Sequence, residues 1–125
     1  VEAVIKTQQI VHGIGAMLEC ALWSSYDDQG ESLLAGRGIQ DIHPSATRPM
    51  IGDFQSFVTA NSADIEASGL NPRQVGQDFW LTRNGHGTGF WDRGLGTIGD
   101  RLTAAAKAYG PFDLYVGDDS GVYGQ

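Results

Sequence analysis

The chain has 125 residues, a net charge of −7 and a pI near 4.6. That length fits one domain with a modest core and is too short for two comfortable ones. Only eight Lys and Arg residues are present and they are scattered, so direct nucleic-acid binding, which needs clustered basic side chains, is not expected.

A hydrophobic share of 41% lies far from the disordered class. Cys20 is the only cysteine. An intrachain disulfide is therefore impossible, which fits a reducing compartment. No apolar run is long enough to cross a membrane, and the first residues lack a charged-then-apolar secretory pattern. The negative charge speaks first to solubility. Its sharper readings are docking on a basic partner and imitation of nucleic acid.

Residues 3–24 are expected to form a helix. Ile10, Val11, Ile14, Met17, Leu18, Ala21 and Leu22 recur at three- and four-residue steps, the spacing of one helical face. Gly13 and Gly15 lower helix propensity and suit close approach by a neighbour. Cys20 falls on the buried face, which favours a core role over a nucleophilic one. Residues 24–30 read as a polar loop. Residues 31–43 read as a further loop with at most one short helical turn, pinned by Leu33, Leu34, Ile39 and Ile42. A second helix is expected from Ser45 or Thr47 to about Ile65, with Ser45 as N-cap and Pro49 in the first turn. Its buried stripe is Met50, Phe54, Phe57, Val58 and Ile65, and Gly69 is its C-terminal signal.

Asn71-Pro72-Arg73-Gln74 has the make-up of a capped helix start. Only a short turn is expected after it, because Phe79 opens a strand-like run. Residues 79–83 and 88–92 read as antiparallel strands joined through Asn84-Gly85-His86-Gly87. Trp80 then faces Trp91, and Leu81 faces Phe90. A helix follows from Thr97, with Ile98, Leu102, Ala105, Ala106 and Tyr109 inward and Gly110-Pro111 as its stop. Residues 113–117 and Val122-Tyr123 make a last hairpin around Asp118-Asp119-Ser120-Gly121. The expected fold is α+β in a single domain, 1–125. A helical part, about 3–77, packs on a hairpin–helix–hairpin part, about 78–124, whose two hairpins form a small antiparallel sheet.

Residues 78–94 hold the densest chemistry. A Phe-Trp pair occurs twice there, and six glycines lie between Gly85 and Gly99. His86, flanked by glycines, is a candidate general acid, base or ligand. Asp92 is placed to orient it, and Arg83 and Arg93 to hold an anion. Asn84 and Trp91 complete the binding residues of this tip. The plainer reading is a turn in which glycines supply positive backbone angles and the histidine is incidental.

His12, His43 and His86 show no short paired spacing, and one cysteine offers no second thiolate, so no metal is expected. Asp113, Asp118 and Asp119 lack the calcium-loop pattern. Gly94-Leu95-Gly96-Thr97-Ile98-Gly99 meets the bare glycine spacing of a dinucleotide site. It lacks the parallel βαβ unit such a site needs, so turning and capping explain it better and no cofactor is expected. The aromatics Phe79, Trp80, Phe90 and Trp91 suit a core first and a protein contact second. Base stacking would need a basic groove.

The run 78–96, followed by Gly99-Asp100-Arg101-Leu102, Ala105-Ala106-Lys107-Ala108-Tyr109-Gly110 and Asp113-Leu114-Tyr115-Val116-Gly117-Asp118-Asp119, resembles short uncharacterised proteins encoded in many tailed-bacteriophage genomes. The likeness covers roughly residues 71–123. In the N-terminal half it is limited to Leu18-Glu19-Cys20-Ala21-Leu22-Trp23-Ser24-Ser25. It implies a phage accessory protein made in the host cytoplasm, and it carries no catalytic residue with it.

The leading expectation is a non-enzymatic protein that binds a host or phage macromolecule, most readily a protein partner. An anti-defence role suits its size and acidity. One alternative is a small-ligand or hydrolytic site centred on His86, Asp92 and Arg83 with Arg93, which requires these side chains to converge in one concavity. The other is an acidic nucleic-acid mimic. If the tip grips a partner, His86→Ala and Arg83→Ala should abolish capture without unfolding the domain.

Overall fold

Helical periodicity in the first quarter of the chain produces one long helix, α1, over Glu2–Ser24. The computed structural model describes residues 2–125, with side chains from Ile10 onward. Met17, Leu18, Ala21 and Leu22 are buried as the periodicity requires. Val11 is exposed instead, because Ile10 and Ile14 take the inward positions at that level. The loop after α1 is shaped by Asp27, whose Oδ1 accepts from the backbone N–H of Gln29 and Glu31, both at 2.9 Å. Leu33 and Ile42 anchor the next stretch in the core, while Ile39 is exposed at the start of a single 3-10 turn, Ile39–Asp41.

Helix α2 spans Pro44–Ala60 and α3 spans Ser62–Ser68. The cap is His43 and not Ser45: the His43 Nδ1 accepts from Ser45 N at 3.1 Å, and Pro44 fills the first helical position. Pro49 therefore sits deeper in the helix than expected. The single expected helix is broken at Asn61, whose Nδ2 donates to the Phe57 carbonyl at 2.9 Å. A side chain that bonds the preceding turn competes with helix continuation. Met50, Phe54, Phe57, Val58 and Ile65 are all buried, and Gly69 ends α3 in the left-handed region at φ 71°.

The largest correction falls on residues 72–92. Asn71 and Gln74 form the expected reciprocal capping box, at 2.9 and 3.0 Å. The helix it starts does not stop before Phe79. It continues as α4 through Pro72–Arg83, so the first expected hairpin does not exist. Residues 88–92 are no strand either; they hold a 3-10 turn at Phe90–Asp92. A run buried all round has no periodicity to separate strand from helix. Val75, Phe79, Trp80 and Leu81 are each buried, and so are Asp78, Thr82 and Arg83. Asn84-Gly85 closes a helix and not a hairpin. The Gly85 N–H donates to Thr82 O at 3.2 Å and the His86 N–H to Leu81 O at 3.0 Å, with Gly85 at φ 70°. That is the Schellman closure of a helix.

Helix α5, Thr97–Lys107, and strands β1, Leu114–Val116, and β2, Val122–Gly124, lie where expected. The strands pair antiparallel, with Tyr115 opposite Tyr123. The hairpin is fastened to the N-terminal half by the His43 N–H, which donates to Val122 O at 2.7 Å. The fold is α+β: among the described residues there are five α-helices and one two-stranded antiparallel sheet. Helix α4 lies at its centre and pairs most extensively with α1. Phe54, Phe57, Phe79, Phe90 and Tyr109 form a continuous aromatic cluster between α2, α4 and α5. Among the described residues no helix is long and apolar enough to cross a membrane.

Candidate functional site

Arg83 ends α4 pointing inward. Its side chain is only 2% exposed and its Nη1 lies 3.1 Å from Asp53 Oδ2. The Nε and Nη2 groups donate to the carbonyls of Gly110 and Tyr109, at 2.8 and 3.2 Å. The guanidinium also lies 5.4 to 5.9 Å from the ring centres of Phe79, Tyr109 and Phe112. Burial pushes its pKa down, and Asp53 opposes that shift. Two arms of Arg83 thus hold the segment after α5 to α4, and the third is paired in charge with Asp53 on α2.

Asp92 is occupied by its own loop. Its Oδ1 accepts from the Gly89 N–H at 3.0 Å and its Oδ2 from the Thr88 hydroxyl at 2.9 Å. The Gly89 bond, then the Thr88 bond, hold its carboxyl below the usual range. Arg93 forms a two-point pair with Asp78: Nε donates to Oδ2, and Nη2 donates to Oδ1 at 3.1 Å. Asp78 is 1% exposed. Burial drives its pKa up more strongly than Arg93 draws it down. Trp91, on the 3-10 turn, is half-exposed, in contrast to the buried Trp80 with which it was expected to pair.

His86 lines a polar cavity of about 330 Å³ together with Tyr26, Asn84 and Asp113. Asn84 builds its wall: Nδ2 donates to Trp80 O at 3.0 Å, and Oδ1 accepts from the Phe112 N–H at 2.8 Å. Trp80 lines the same cavity, and its buried Nε1–H has no acceptor among the described residues. Phe112 stands edge-on to it, ring centres 6.3 Å apart. Arg93 lines a different cavity. Of the expected site residues, His86 and Asn84 share a concavity, Arg93 faces another, and Arg83 and Asp92 are consumed by internal bonds. The remaining histidines also lie apart, His12 on α1 and His43 at the cap of α2. Among the described residues no three metal-binding side chains gather. Gly96 introduces α5 at φ 64°, with no strand before it in the manner of a dinucleotide site.

The Arg93 cavity holds about 350 Å³ between the C-terminal half of α1 and α4. Glu19, Cys20 and Trp23 come from α1, and Asp78 and Leu81 from α4. The Cys20 thiol is pushed up to about 12, by burial first and then by the negative charges of Asp78 and Glu19. A thiol so protonated is a poor nucleophile at neutral pH. Cys20 is therefore expected to resist iodoacetamide in the native protein and to react fully once it is denatured, as read by intact-mass spectrometry. Rapid labelling of the folded chain would contradict this.

Three large aromatics at or after the end of α1 are half-exposed. Trp23 is 57% exposed at the end of α1, Tyr26 is 64% exposed just after it, and Tyr115 on β1 is 44% exposed. Tyr26 and Tyr115 line one groove with Asp27 and Asp28. Sequence reasoning passed over these residues. An apolar periodicity that ends on Trp23 beside a polar loop is a signal for the first. Nothing in spacing links Glu19 to Asp78, or Tyr26 to Tyr115. No protein-family profile, curated protein or solved structure matches the chain.

Proposed function

We propose that the protein is a phage-encoded accessory factor that captures a basic segment of a host or phage protein, and that it is not an enzyme. The observation that carries this reading is the groove in which exposed Tyr26 and Tyr115 meet Asp27 and Asp28, with Arg37 also on its wall. Trp and Tyr are the usual anchors of protein interfaces, because a large ring removes much apolar surface from water at small entropic cost. Asp27 and Asp28 beside Tyr26, and a net charge of −7, favour a cationic partner and speed its encounter. The ionisable groups that suggested hydrolysis support this reading too, since Arg83, Asp92 and Arg93 are already engaged in internal bonds. The phage assignment rests on the resemblance carried by residues 71–123.

The test is binding of a fluorescent Arg- and Lys-rich peptide, with an acidic peptide of equal length as control. Tyr26→Ala with Tyr115→Ala is expected to weaken capture of the basic peptide at least about tenfold, the loss typical of interface aromatics. The melting temperature should stay unchanged. Added salt should weaken the wild-type interaction. Equal binding of both peptides, or full binding by the double variant, would overturn the reading.

A further inference from the structure

We infer that the cavity between Glu19, Trp23, Asp78 and Arg93 is an anchor pocket for an arginine side chain of the partner. This rests on the docking reading above and names the group that the docking surface grips. The cavity is lined by Trp23, the half-exposed aromatic near the end of α1. Its volume of about 350 Å³ is ample for a guanidinium and its methylene stem. Leu34 and Leu81 give the stem apolar wall, and the half-exposed Trp23 indole gives the guanidinium a face to stack on.

Charge decides the sign of the ligand. Two carboxylates and one guanidinium line the cavity, which leaves one net negative charge. Arg93 is fixed by its two bonds to Asp78 and cannot turn to receive an anion without stranding a buried carboxylate. Among the described residues Asp78 accepts only those two side-chain bonds, although a carboxylate has about four acceptor sites. Cys20 lines the same cavity, and its thiol is pushed up by burial first and then by Asp78 and Glu19. Arginine fits better than lysine because its planar fork stacks on indole and meets a carboxylate at two points, here Glu19.

The test uses the full chain and three blocked tripeptides, acetyl-Gly-Arg-Gly-amide and its lysine and citrulline counterparts. Citrulline keeps the shape of arginine and removes its charge. Binding is read from the Trp23 indole N–H resonance, assigned through Trp23→Phe. The arginine peptide is expected to shift this resonance saturably, with citrulline at least about tenfold weaker and lysine about threefold weaker. Glu19→Gln should weaken arginine about fivefold with the melting temperature unchanged.

Equal binding of arginine and citrulline, or no response at Trp23, overturns the pocket. So does arginine binding that Glu19→Gln and Trp23→Ala both leave intact. If the long basic peptide still binds through Tyr26 and Tyr115 in those cases, the docking surface survives and only the arginine pocket falls. If the arginine tripeptide binds at Trp23 and the long peptide does not bind, the pocket stands as a cation site and the docking reading falls.

Discussion

Gly76→Ala is expected to destabilise the domain by about 3 kcal/mol or more, the scale of a severe overpacking that nearby atoms cannot relieve. Helices α1 and α4 touch backbone to backbone at Gly13 and Gly76. A methyl group on Gly76 would meet the Gly13 carbonyl, with the Gly13 carbonyl carbon at 2.9 Å and its Cα at 3.0 Å. These are main-chain atoms of a helix and cannot swing aside as a side chain can. Gly13 is itself hemmed in by the Phe54 ring and by Pro72 O, which a Cβ there would meet at 3.1 Å. Alanine's better helix propensity, worth about 1 kcal/mol, does not offset separating the two central helices. Gly15→Ala is the control: it lies on the same helix α1 with open space where its Cβ would go. It should gain a few tenths to about 1 kcal/mol. Urea midpoints for the two variants, moving in opposite directions, check the prediction. A Gly76→Ala protein as stable as wild type would refute the crossing.

Arg83→Ala should cost about 3–5 kcal/mol, the range for breaking a buried ion pair. Asp53 is 36% exposed and recovers part of its hydration, which places the loss toward the lower end. Two carbonyls after α5, those of Tyr109 and Gly110, also lose their donors. Three aromatic rings lose a cation. His86→Ala should stay within about 0.5 kcal/mol of wild type, since the turn is held there by the His86 backbone N–H and not by its ring. The sequence-level expectation that both substitutions leave the domain folded thus separates into two outcomes. Chemical denaturation of both variants decides it: equal and small changes would restore Arg83 to the surface.

The two readings of the segment 71–86 show where local signals suffice. The capping box at Asn71 and Gln74 needs only four neighbouring residues, and it forms as expected. Gly69 and Gly110 stop their helices because only glycine takes φ near +70° cheaply, and both do. Asn84-Gly85 carries the same kind of signal, but it fits a hairpin turn and a helix end alike. The choice depended on whether 79–83 was strand or helix. That run is buried on every side, so its pattern held no answer.

The candidate site shows the same boundary more sharply. His86 and Asn84 were legible as candidates because a glycine-flanked histidine in an Asn-Gly turn is visible locally, and they line one cavity. Asp78, Arg93 and Arg83 were visible as charges, yet their partners were not. Asp78 meets Arg93 only because the chain doubles back after α4, and Arg83 meets Asp53 only because α2 packs beside it.

By itself, the amino-acid sequence determined the helices α1 and α5, the presence though not the ends of α2, the final hairpin, most core positions and that no disulfide can form within the chain. Each follows from nearest-neighbour spacing or from composition. The tertiary structure alone decided that α4 runs through the centre, that Gly13 and Gly76 let α1 lie against it, and that Arg83 and Arg93 are paired with Asp53 and Asp78. It also brought Glu19 and Trp23 to face Asp78 and Arg93. Those outcomes depend on which charges lose their water and which elements lie across the fold, and neither quantity is carried by a window of adjacent residues.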